Sequence, residues 1–104
     1  MALPSSRPLV IIRFNQPRVH FERSLYHAVS KAVETKPSVQ FTIVSFSPNT
    51  GDPSEDQRLQ SKAEENLRKV LQTMREMGVP QSRTSVRRSS DSSIDASEVQ
   101  VFVR

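Results

Sequence analysis

The residues that carry covalent or metal chemistry are few in this chain, and they are scattered. The two histidines, His20 and His27, lie in separate segments, and there is no cysteine. Thiolate-bound zinc, thiol nucleophiles and a disulfide framework are therefore excluded. No serine has a nucleophile-elbow context, so a Ser–His–Asp arrangement is not expected. Glycine occurs only at Gly51 and Gly78, which rules out a glycine-rich dinucleotide or phosphate cradle. Two clusters remain. Asp52, Glu55 and Asp56 crowd together, but helix capping and dipole complementarity account for all three. Arg87-Arg88-Ser89-Ser90 has the form of an anion patch or phosphoacceptor string, a common combination with little weight of its own. The expectation is a non-enzymatic chain with no catalytic residue, metal or cofactor.

The elements that hold these residues are easier to read. Asp52-Pro53-Ser54-Glu55 predicts a helix start, with Asp52 as cap, Pro53 at the first helical position and Glu55 placed to close a capping box. Leu59, Ala63, Leu67, Val70, Leu71, Met74 and Met77 follow at helical spacing and predict a buried stripe. Glu64 with Arg68, and Glu65 with Lys69, predict ion pairs one turn apart on the wet side. Gly78 and Pro80 end the helix. A shorter helix is predicted from Phe21 to Lys36, its stripe formed by Leu25, Ala28, Val29, Ala32 and Val33.

Leu9-Val10-Ile11-Ile12 is a continuous apolar run, which predicts a central strand covered on both faces. Val39 to Phe46 alternates as a strand, Ser82 to Arg88 suits a short edge strand around Val86, and Val99, Val101 and Val103 mark a closing strand. Residues 1–8 read as a flexible lead, and Ser89 to Ser97 as a mobile, serine-rich loop. The prediction is an α+β fold of order β-α-β-α-β-β, a two-layer sandwich with both helices on one face of a mixed sheet.

At 104 residues the chain suits one core. Its net charge of +4 admits a polyanionic partner, for which Arg83, Arg87 and Arg88 are the candidates. Most bases are interleaved with acids, however, and an RNA-recognition aromatic motif is missing, so nucleic acid is not the expected partner. No apolar run reaches the roughly 18 residues of a membrane span.

Several stretches resemble the OmpA-like (OmpA/MotB C-terminal) domain of bacterial envelope proteins. "IIRFNQPRVHFERSLYHAVSKAV" is similar to its first strand, loop and helix. "FTIVSFSPNTGDPSEDQRLQSKAEENL" resembles its second strand, glycine-containing loop and long helix. "MGVPQSRTSV" and "EVQVFVR" resemble its third and closing strands, so the similarity spans Leu9 to Arg104. A looser similarity to bacterial lipoprotein-like domains rests on "LYHAV" and the same ending. The resemblance implies a periplasmic or outer-membrane-anchored binding or assembly module, with an envelope protein or cell-wall component as partner. The family's peptidoglycan-binding aspartate falls on Ser47-Pro48 and its arginine near Lys62-Ala63. Proline accepts no hydrogen bond through its side chain, and lysine lacks the planar fork of arginine. The implied site is thus a degenerate one around Ser47, Asn49, Thr50, Asp52, Arg58 and Lys62.

Overall fold

The apolar periodicities turn into elements close to where the sequence places them. The structure, a computed structural model, describes residues 7–104, so most of the expected lead (1–6) lies outside the described residues. The elements are β1 (Val10–Arg13), α1 (Glu22–Thr35), β2 (Phe41–Pro48), α2 (Pro53–Glu76), β3 (Thr84–Asp91) and β4 (Glu98–Val103). A 3-10 turn at Gln81–Arg83 leads into β3. The β-α-β-α-β-β order stands as expected.

The four strands form one mixed sheet in the order β1-β4-β2-β3. β2 and β3 are parallel, as a helical crossover requires, while β4 runs antiparallel between β1 and β2. The register places Val10 and Ile12, Val99 and Val101, and Phe41 and Ile43 on the same face. That face meets Leu25 and Val29 of α1 and Leu67, Val70 and Met74 of α2 in a single cluster. Leu25 and Val70 are fully buried, each contributing roughly 1.5–3 kcal/mol. Both helices therefore lie on one side of the sheet. No helix among the described residues is long and apolar enough to cross a membrane.

The end of α2 shows how local chemistry fixes topology. Gly78 has φ +96, and its N–H donates to the carbonyl of Arg75 at 2.9 Å. The N–H of Val79 donates to the carbonyl of Met74 at 3.0 Å. This pair of bonds is a Schellman closure, with Val79 and Met74 both buried in the core beside it. The chain is turned back toward the sheet within three residues.

Two expectations require correction. β1 is an edge strand, not a central one: only Ile12 is buried, and Leu9 and Ile11 are 38% and 42% exposed. The reason is that β4 takes the central place beside β2 and the helices cover one face only, so alternate residues of the apolar run point away from them. The serine-rich segment is also shorter than expected, because Ser89, Ser90 and Asp91 continue β3 opposite Phe46, Ser47 and Pro48. An edge strand half-covered by a helix needs little apolar content, which is why pattern alone places these residues in the loop.

Gly78→Ala forces a β-carbon into the left-handed region and is expected to destabilise the fold by about 1 kcal/mol. Denaturant unfolding checks it. Gly51→Ala, also at positive φ, tests whether the effect is specific to the helix terminus.

Candidate functional site

The turn between β2 and α2 is organised by a residue that the capping pattern does not single out. Asp52 caps the helix as expected, its carboxylate accepting from the N–H of Ser54 at 3.0 Å. Glu55 does not close a capping box; it pairs with Arg58 on the next turn. Asp56 reaches back instead. Its carboxylate accepts from the Thr50 N–H at 2.7 Å, the Thr50 hydroxyl at 2.8 Å and the Gly51 N–H at 3.2 Å. The Asn49 side-chain oxygen accepts from the same Gly51 N–H. The Thr50 and Gly51 hydrogen bonds hold the Asp56 carboxyl below its ordinary value.

Beyond this turn, concave regions lie along both flanks of α2; toward its end, Arg68 and Arg75 line one of about 390 Å3 against Thr84 and Val86 of β3. On the β3 side is a polar cleft of about 490 Å3, with Ser45, Ser47, Gln60, Glu64, Arg88 and Ser90 among its lining residues. It lies near the carboxyl ends of the parallel pair β2 and β3, where open α/β sheets commonly form crevices. Arg88 grips Glu64 with two bonds, at 2.7 and 2.9 Å. This guanidinium holds the Glu64 carboxyl below its usual range. Glu64 thus makes its two hydrogen bonds across the cleft to Arg88, while the expected partner Arg68 contributes only a lesser charge effect. Glu65 likewise lies 3.9 Å from Lys62, and the expected pairing with Lys69 gives way to it.

On the other side of α2, a cavity of about 350 Å3 opens against the connection from β1 to α1. Arg18, Lys62 and Lys69 line it, with Glu22 as the single carboxylate among the lining residues and Asn66 at its edge. Phe14 and Phe21 pack edge to face at 5.9 Å and firm up the opposite wall. Asn66 is buried and donates to the Ser97 hydroxyl at 2.7 Å. This bond ties α2 to the approach to β4. Ser97 carries no sequence signal, but Asn66 does: at helical spacing between Ala63 and Val70 it puts a polar amide on the apolar stripe, which a count of apolar positions alone passes over.

The residues of the expected site do not converge. Asn49, Thr50 and Asp52 are bound into the helix-capping turn. Ser47 is buried and faces the polar cleft. Arg58 stands on the outer surface against Glu55, and Lys62 alone reaches the cationic cavity. The alternative trio is likewise dispersed. Arg83 donates to the carbonyl of Pro37, Arg88 lies on the helix side with Glu64, and Arg87 points to the opposite, open face of the sheet. His27 is exposed on α1, while His20 lies at the cavity wall. Among the described residues no group of three or more metal-ligating side chains comes together.

No protein-family model matches this chain, and no curated protein matches it. The β-α-β-α-β-β architecture defines its structural class.

The buried amide and the turn carboxylate can each be tested by substitution. Asn66→Ala leaves the buried Ser97 hydroxyl without its partner and is expected to cost about 1–3 kcal/mol, with a positive coupling to Ser97→Ala in a double-mutant cycle. Asp56 has a depressed pKa, so the stability its bonds contribute is present at neutral pH. It is lost as the pH falls below the ordinary aspartate value of about 4. The difference in melting temperature between the native chain and Asp56→Ala is expected to be greatest at neutral pH and to close in acid.

Proposed function

We propose that the chain is a non-catalytic binding module of a bacterial cell envelope, exposed to the periplasm. It takes an anionic group of a cell-wall component in the cavity between α2 and the β1–α1 connection. The observation that carries this reading is the gathering of Arg18, Lys62 and Lys69 around one cavity beside Asn66. Three cations there face a single lining carboxylate, so the field favours a negative group, and a carboxylate of a cell-wall peptide has the right charge and size.

The resemblance to OmpA-like domains supports the compartment, and the shared order of elements supports the resemblance. The family's aspartate and arginine fall on Ser47-Pro48 and near Lys62-Ala63, and this reading moves recognition away from the β2 terminus. There the turn is already saturated by Asp56, and the cleft beside it is neutralised by the Arg88–Glu64 pair. The cationic side of α2 is left available to a ligand. Lysine ammonium groups act as point charges with freely rotating donors, so this side accepts a carboxylate without imposing a two-pronged geometry.

Cosedimentation with purified peptidoglycan sacculi tests the reading. The native chain is expected to pellet with sacculi at low salt, and the double variant Lys62→Glu, Lys69→Glu to lose about tenfold or more in affinity. Absence of cosedimentation by the native chain at low salt would overturn it. So would binding that ignores the charge reversal.

A further inference from the structure

β3 forms one edge of the sheet, and it is the long edge, with eight residues against four in β1. Its backbone direction can be assigned. The N–H of Asn49 donates to the carbonyl of Asp91 at 3.2 Å, so the backbone of Asp91 points inward to the β2 side. With a period of two, Ser89, Arg87 and Ser85 also point inward, whereas Val86, Arg88 and Ser90 direct N–H and C=O outward. Among the described residues no strand receives these outward groups.

Edge strands are ordinarily guarded by proline, by a bulge, by shortness or by charge. β3 has no proline, and its ladder with β2 runs residue for residue from Thr84 to Asp91 with no bulge. Charge remains as the guard, in Arg87, Arg88 and Asp91. Arg88, however, is drawn back over the helix side by Glu64, which neutralises it. Arg87 and Asp91 are left, opposite in sign and both on the open face of the sheet, so they repel only a strand that sets like charge against them.

We propose that this edge pairs with β3 of a second copy, antiparallel about a two-fold axis through Ser89. Coplanar sheets require directly opposed residues to share a face, so the axis must pass through a residue. Centring on Arg87 or Arg88 sets like guanidiniums against each other. Centring on Val86 places Arg87 opposite a serine, and so does centring on Arg88. Of the centres between Val86 and Ser90, only Ser89 brings Arg87 opposite the second copy's Asp91, and symmetry makes the contact twice. Asp91 is suited to it. Both bonds it accepts from Ser93, at 2.8 and 2.6 Å, go to Oδ1, which leaves Oδ2 for the guanidinium. In the same register Arg88 and the second copy's Ser90 form a hydrogen-bonded pair through their outward backbone groups. Thr84 and Val86 are only half-buried under α2, so the helix does not close over the edge. The product is a continuous eight-stranded sheet with all helices on one side.

The test is the mass of the full chain by sedimentation velocity across a concentration series. A dimer is expected for the native chain. Arg87→Asp and Asp91→Arg are each expected to weaken dimerisation about tenfold, since two symmetric pairs are lost at once, and the double exchange is expected to restore it. Ser90→Pro removes an outward N–H without touching the β2 ladder, which edge strands tolerate. It is expected to yield a monomer with an unchanged circular dichroism spectrum. A native chain that is monomeric throughout overturns the proposal. So does a dimer indifferent to the charge exchanges, or one that persists in Ser90→Pro.

Discussion

The structure depends on β2 having a strand on each side and residues buried on both of its faces. Seven of its eight residues are buried and Phe46 is the exception. One neighbour, β3, is parallel, and that requirement sets most of the remaining architecture. The chain must return from the end of β2 to its beginning before β3 can start, and α2 is the element that makes the return. A helix of 24 residues is about 36 Å long, whereas an eight-residue strand spans about 26 Å. The helix overhangs the strand it covers, and the Schellman closure at Gly78 with the 3-10 turn at Gln81–Arg83 absorbs the excess. The other neighbour, β4, arrives last in sequence and enters between β2 and β1. The first strand is thereby confined to the edge.

That late insertion explains which parts of the fold were legible. Helices announce themselves locally: the stripes through Leu25 and Val29, and through Leu67, Val70 and Met74, are periodic whatever lies opposite them. The alternation of β4 was equally plain. The place of a strand within the sheet is a property of the whole chain. Leu9-Val10-Ile11-Ile12 has the composition of a central strand, yet its Ile11 stands half in solvent because nothing covers the open face there. Ser89 to Asp91 fails in the opposite sense. Its polarity says loop, but parallel pairing with Phe46, Ser47 and Pro48 supplies backbone bonds that polarity does not reveal.

The candidate site was less legible, for a related reason. Local rules assign Glu55 to the capping box and Glu64 to Arg68, because those partners are near in sequence. The structure chooses Asp56 for the turn and Arg88 for Glu64. In each case the chosen arrangement satisfies more donors: three bonds converge on the Asp56 carboxylate, and two from one guanidinium on Glu64. Long-range pairs of this kind leave no spacing signature. Asn66 is the extreme case: its place on the apolar stripe asks for a partner, but that partner, Ser97, lies 31 residues away and has nothing to mark it.

The electrostatic consequence is an asymmetry across α2. Around the helix, Gln60 and Glu64 face β3, Ala63, Asn66, Leu67 and Val70 face the sheet, and Lys62 and Lys69 face the β1–α1 connection. Glu64 and Arg88 cancel on the first side. On the third side Lys62 has only a distant contact to Glu65, and Lys69 and Arg18 add their charges to the same cavity. A net charge of +4 distributed evenly would attract anions nowhere in particular. Near the start of α2 the flank toward β3 is neutralised while the flank toward the β1–α1 connection keeps its cations; Arg68 and Arg75 place charge beside β3 only further along the helix. The cations of that flank, Arg18, Lys62 and Lys69, all stand exposed, so the attraction they exert on any anion weakens as salt is added.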